Sequence, residues 1–175
     1  MAKLKGLKKL NKAITAEVQR FGVDKAVCES EFAWYFKESK LAFKAVTDIS
    51  DELFDSFVEE RFNYHVEHDF PLSILHEIGH RETGNDIDGC VYEWCLSEKE
   101  RLNKEMEKAD TEEDVKILFY QYFNLPDEIM ATQWAVNYAK HHPRIVKKIW
   151  KNAEKAFHEF YAKNDLLPED IADVI

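Results

Sequence analysis

The chain has 175 residues, enough for one domain with a sizeable core, and 45% of them are hydrophobic, which argues against a disordered chain. The net charge of −10 argues against broad nucleic-acid binding, since phosphate recognition depends on a basic surface. Three cysteines without dense spacing argue against a disulfide scaffold, and we find neither a secretory signal nor an apolar run of membrane-spanning length. We therefore expect residues 1–175 to form a single cytoplasmic domain.

Residues 1–22 are predicted to form a basic amphipathic helix. Leu7, Ile14 and Val18 recur at helical spacing, lysines occupy the opposite side, and Gly22 is placed to end the helix. Such a helix most often docks on the acidic domain of its own chain. The alternative is an acidic partner or a membrane surface.

A change of period marks residues 31–46 as a β-hairpin. Apolar residues alternate with others in "EFAWYF" and "LAFKAV", and the polar "KESK" between them suits a turn. The preceding "VDKAVC" adds a weaker β signal. The sequence therefore predicts a small antiparallel β-sheet near the N-terminus.

The rest of the chain shows helical periodicity. Pro71 suits the first turn of a helix over 71–84, and Pro126 opens another over 126–140. Further helices are expected around 53–62, 88–109, 113–122 and 145–161. All four tryptophans fall on apolar stripes and are expected in the core. The predicted fold class is α+β and mostly helical.

The motif HEIGH at 76–80 predicts a catalytic zinc site. His76 and His80 lie one helical turn apart, so both imidazoles can reach one ion, and Zn²⁺ accepts two such ligands. Glu77 is rotated by about 100° from its neighbour, so it is placed to take a proton from water rather than to bind the ion. Gly79 would let another backbone come close. The opposing interpretation is that the motif is fortuitous.

Two residues are candidates for the third ligand. Asp86 lies ten residues after the first histidine, an offset that some zinc peptidases use. Glu128 begins a later helix and is the better candidate, because small residues follow it at helical spacing and would allow close packing against the histidine helix. These small residues are Ala131, Thr132 and Ala135. Thr132 could also hydrogen-bond the ligand carboxylate.

Two stretches together, "ILHEIGHRETG" and "EIMATQWAVNYAKHHP", resemble the ImmA/IrrE family of small zinc metallopeptidases. The resemblance implies a zincin-like domain of the gluzincin type in which His76, His80 and Glu128 bind Zn²⁺ and Glu77 is the catalytic base. It also implies a protein substrate such as a DNA-binding repressor, in phage or mobile-element regulation or in a stress response.

We therefore expect a zinc-dependent endopeptidase. Glu77 would deprotonate a water polarised by zinc, the water would attack a peptide carbonyl, and Glu77 would pass the proton to the leaving amine. The alternative is a catalytically inactive zincin-fold module that captures a regulatory protein. The hairpin offers an edge strand for an extended peptide. Candidates for stabilising the oxyanion are Tyr64, His65, His68, Tyr138, His141 and His142.

Overall fold

The computed structural model describes residues 4–45 and 49–164, and these form an α+β fold that is mostly helical. Its strands are β1 (Lys25–Cys28), β2 (Ala33–Tyr35) and β3 (Lys40–Phe43). Its helices are α1 (Leu7–Val18), α2 (Ile49–Phe62), α3 (Asp69–Thr83), α4 (Gly89–Met106), α5 (Glu112–Phe123), α6 (Pro126–His141) and α7 (Pro143–Asn164). Residues 1–3 of the predicted first helix, residue 46 of the predicted hairpin and residues 165–175 of the predicted domain lie outside the described residues.

The sheet is mixed, so the prediction of an antiparallel sheet is wrong for one of its strands. The hairpin is present, with β2 antiparallel to β3, but β1 pairs with the other edge of β3 in parallel. The strand order β1-β3-β2 means that the chain passes from one edge of the sheet to the other before the hairpin returns into the middle. Local alternation of side chains gives no information about that crossing.

Helix α1 is shorter than predicted and lies on its own chain. Gly6 precedes the helix with a left-handed φ of 85°, and a single 3-10 turn follows before Gly22 ends the segment with φ 76°. The apolar face, with Leu10, Ile14 and Val18 all buried, packs against β1 and α7. This is the docking on the chain's own domain that the pattern favoured.

The core surrounds α3 and β3, whose middle residues are almost completely buried. The predicted inner face of α7 is also buried, and its residues are Ile149, Ala153, Phe157 and Phe160. A second, smaller cluster of Cys95, Leu102 and Leu125 lies between α4 and the start of α6. The prediction that every tryptophan is in the core is wrong, because Trp94 on α4 is 51% exposed. Within the described residues, no helix combines the length and apolarity that crossing a bilayer requires.

Candidate metal centre

Helix α3 brings both histidines of HEIGH to one point. His76 is buried and His80 is half-buried, and their Nε2 atoms lie 3.2 Å apart because four residues make about one helical turn. The ring of His76 packs against the rings of Phe54 and Phe123, with centroid distances of 5.1 and 5.7 Å. These contacts from α2 and α5 restrict the imidazole to one orientation.

Glu128 reaches the same point from the first turn of α6, whose first residue is Pro126, and is buried there. The two helices approach closely at Gly79, where a Cβ atom would lie only 2.4 Å from the carbonyl oxygen of Ala131. The expectation that small residues allow this crossing is confirmed. On α6 the residues concerned are completely buried, and they are Ala131, Thr132 and Ala135.

The three side chains have a geometry that fits zinc. His76 Nε2 lies 3.0 Å from Glu128 Oε2, and His80 Nε2 lies 3.4 Å from Glu128 Oε1. With bonds of about 2.0–2.1 Å, a tetrahedral zinc ion separates its ligand atoms by roughly 3.3–3.4 Å. Two imidazoles and one carboxylate are also a ligand set that catalytic zinc uses, since three protein ligands leave one position open. The residues present therefore fit the ion.

Thr132 fixes the histidine rather than the carboxylate, which differs from the expected contact. Its hydroxyl donates to the backbone carbonyl of Glu128, one turn earlier, over 2.8 Å. The hydroxyl oxygen therefore accepts from Nδ1 of His76, 3.0 Å away. In the neutral form of the ring that a metal ion requires, a proton on Nδ1 would leave the lone pair of Nε2 available to the ion.

A cation from α4 also reaches the ligand carboxylate. The ammonium group of Lys99 forms ion pairs with Glu128 Oε1 and with Asp127 Oδ2. Both carboxylates are buried and the lysine side chain is 16% exposed. Sequence reasoning missed this residue, although Lys99 fills the gap between Cys95 and Leu102 in the inward stripe of α4.

The charges in this cluster support one another. Burial alone would raise the pKa of Glu128, but the charge of His80 and hydrogen bonds from both histidines hold that pKa well below its usual value. Burial alone would lower the pKa of Lys99, yet the charge of Glu128 and the hydrogen bonds to Asp127 and Glu128 raise it above its usual value. Glu128 is therefore an anionic group, suited to bind a metal ion, that is paired with a permanent cation.

The cluster lies in a cleft of about 900 Å³. Glu77 lines the cleft beside the histidines and is half-buried. Tyr122 on α5 also lines it, and burial followed by the charge of Glu128 raises the pKa of its phenol, so the hydroxyl stays protonated. Strand β2 is an edge of the sheet, and Ala33 and Trp34 from it form part of the same wall.

Other sequence-predicted residues lie elsewhere. Asp86 is exposed in the turn after α3. Among residues 4–45 and 49–164, the group with metal-binding geometry consists of His76, His80 and Glu128. The cleft is not lined by any of the residues considered for the oxyanion, which are Tyr64, His65, His68, Tyr138, His141 and His142. The cleft instead contains Tyr122 and Lys99, from the two helices that fill the long connection between His80 and Glu128.

Comparison with known proteins identifies no relative. No family model matches the chain, and neither the curated proteins nor the solved structures contain a match.

Proposed function

We propose that the chain is a zinc-dependent endopeptidase of the ImmA/IrrE type that acts in the cytoplasm. The observation that supports this most is the convergence of His76, His80 and Glu128 at distances of 3.0–3.4 Å inside a cleft that also contains Glu77. Metal-assisted peptide hydrolysis needs a Lewis acid, a base beside it and room for a substrate. The cleft offers a place for each.

The reaction would proceed by addition of water to a peptide carbonyl. A bound zinc ion would supply Lewis acidity to the water and to the carbonyl. Glu77 takes one proton from the attacking water and later transfers it to the leaving amine, so the water is divided between the two product termini. Tyr122, which is protonated and lines the cleft, is the donor that we propose for the developing oxyanion.

The proposed substrate is an extended segment of a protein, such as an exposed segment of a DNA-binding repressor. Strand β2 supports the extended conformation, because an edge strand offers unpaired backbone groups to a peptide laid beside it. Phe36, which follows β2 and is 55% exposed, adds an apolar contact at the same wall. A module that binds a partner without cleaving it would have no use for Glu77.

The metal site is tested by elemental analysis of purified protein after reconstitution with zinc. We expect about one zinc per chain in wild type and in Asp86→Ala, and a large loss in Glu128→Ala. Loss in Asp86→Ala with retention in Glu128→Ala would move the third ligand to the loop. Absence of zinc from wild type would overturn the proposed function.

Catalysis is tested separately with Glu77→Gln and a quenched-fluorescent peptide library. We expect the variant to bind as much zinc as wild type and to lose cleavage, since an amide cannot accept the proton. If wild type and variant both bind zinc and neither cleaves any peptide or unfolded protein, the binding module becomes the better interpretation.

A further inference from the structure

The ion pairs of Lys99 place a fixed positive charge against the proposed zinc ligand Glu128. Lys99 lies on α4, which is not part of either ligand helix, and its ammonium group bridges Glu128 Oε1 and Asp127 Oδ2. Both carboxylates are about 2% exposed, so water screens this contact poorly. Nothing in the peptidase mechanism described above requires a lysine at this position.

We propose that Lys99 is a counter-cation that keeps Glu128 in place when the site is metal-free and weakens the hold of the site on its metal. This inference rests on the proposed function, because it concerns regulation of the same zinc site. The ion pairs of Lys99 make zinc binding reversible in a protein that stays folded. Activity would then follow the supply of free zinc.

The effect of Lys99 on metal binding follows from the charges around it. Without metal, the Lys99 ammonium faces two buried carboxylates, Asp127 and Glu128, and the ring of His80 contacts Glu128 from another side. A divalent ion added beside the two histidines brings a second positive group against the same carboxylates. Lys99 therefore stabilises the metal-free state and repels the ion in the metal-bound state.

The position of Lys99 also limits how Glu128 can bind the ion. One carboxylate oxygen, Oε1, is occupied by the ammonium group, while Oε2 lies 3.0 Å from Nε2 of His76. Glu128 is therefore set to offer one oxygen rather than two. Removing the lysine would free the second oxygen and allow a two-point attachment, which would again strengthen binding.

The test compares Lys99→Met, which keeps the length of the side chain but removes its charge, with Lys104→Met as the matched control. Lys104 lies on the same helix and pairs with Glu100 on the exposed surface, 2.5 Å away. For each protein we would measure the zinc Kd by competition with a chromophoric chelator. We would also measure the thermal midpoint Tm with and without zinc.

We expect Lys99→Met to bind zinc at least about tenfold more tightly than wild type, while Lys104→Met and Lys99→Arg stay within about threefold of wild type. Metal-free Lys99→Met should melt at a lower temperature than metal-free wild type. The rise in Tm on adding zinc should be larger in the variant. Cobalt-substituted Lys99→Met should absorb more weakly than cobalt-substituted wild type, as a higher coordination number requires.

A lysine that only braces α4 against α6 would behave differently. Lys99→Met would then lower Tm equally with and without zinc and leave the zinc Kd unchanged, and either result would overturn the inference. If the variant folds only with zinc, its rate of zinc loss to excess chelator decides. Slower loss than wild type supports the inference and faster loss overturns it. Wild type that binds no zinc at all is the separate failure of the proposed function.

Discussion

The hydroxyl of Thr132 connects two of the proposed ligands, because it accepts from Nδ1 of His76 and donates to the carbonyl of Glu128. Replacing it with valine keeps the shape and removes both hydrogen bonds. We expect Thr132→Val to weaken zinc binding by about tenfold or more, since an unsupported imidazole is free to rotate and to change tautomer. The zinc Kd measured by chelator competition checks this.

Thr83→Val is the control for that substitution. The Thr83 hydroxyl also donates to a carbonyl one turn earlier, that of Gly79, over 2.8 Å, but it forms no hydrogen bond with the ring of His76 or His80. Its zinc Kd should equal that of wild type. If both variants bind zinc equally weakly, the cause is loss of the hydrogen bond from the threonine hydroxyl to the helix backbone, rather than loss of the contact with His76.

The proposed role of Tyr122 leads to a second prediction. Its hydroxyl is held protonated in the cleft, first by burial and then by the charge of Glu128. Tyr122→Phe should lower kcat by roughly 10²-fold and leave KM and the zinc Kd nearly unchanged, because a donor to the oxyanion acts only in the transition state. Steady-state kinetics on a peptide that wild type cleaves gives kcat and KM separately. A change confined to KM would make Tyr122 a substrate-binding residue.

Lys99 and Tyr122 show where residue-level prediction from sequence stops. The histidines and Glu77 are recognisable because their chemistry depends on spacing along one helix. Lys99 meets Asp127 from 28 positions away in the chain, and no local pattern encodes that contact. The one available signal was a lysine on a stripe of inward-facing residues, where a charge is found buried only if it is paired.

The proposed metal site depends on the close crossing of α3 and α6, and this crossing requires a glycine at position 79. In Gly79→Ala the new Cβ would lie 2.4 Å from the carbonyl oxygen of Ala131, so the two helices must separate. We expect a loss of roughly 1–3 kcal/mol in the free energy of unfolding, together with weaker zinc binding, because the ligands are divided between these helices. Urea denaturation and the chelator titration measure the two effects.

Gly89→Ala supplies the matched control, since a Cβ atom on Gly89 would meet nothing within 4 Å. This glycine begins α4, where alanine favours the helix, so the variant should be as stable as wild type or more stable by up to about 1 kcal/mol. If both variants lose the same stability, the cost at Gly79 does not come from the helix crossing.

Elements were predictable from the sequence where local chemistry defines their ends. Pro126 begins α6 as expected, and α3 ends next to Gly84 as expected. The order of strands was not predictable, because β1 joins β3 in parallel only through the tertiary fold. The exposed Trp94 is a similar case, since a helical stripe does not reveal whether another element covers it.

In the molecule as a whole, the three proposed ligands lie on helices of the main core, and part of the cleft wall comes from α4 and α5. Helices α3 and α6 lie in the main core. Helices α4 and α5 enclose a small cluster around Leu102, and α5 also packs against the main core through Phe119 and Phe123. This division would hold the proposed metal ligands on the helices of the main core. Lys99 on α4 pairs with Glu128 on α6, so this ion pair joins the small cluster to the main core.

Stability of the whole molecule should depend on pH through a carboxyl group outside the metal site. Burial, followed by the hydrogen bond and charge of Asp69, raises the pKa of Asp55 from 3.8 to about 8. Asp55 therefore stays protonated up to a higher pH in the folded state than in the unfolded state. Its contribution to stability is fully present below about pH 4 and is lost as pH rises to about 8.

The Asp55→Asn variant should remove that dependence, because an amide does not titrate and can still donate a hydrogen bond to Asp69. We expect the variant and wild type to have similar Tm near pH 4 and the variant to be increasingly more stable towards pH 9. Asp24→Asn, at an exposed position, controls for the loss of one negative charge from an acidic protein. Thermal denaturation from pH 4 to pH 9 measures the difference. A constant difference in Tm across the range would overturn this assignment, because it would mean that folding does not change the proton affinity of Asp55.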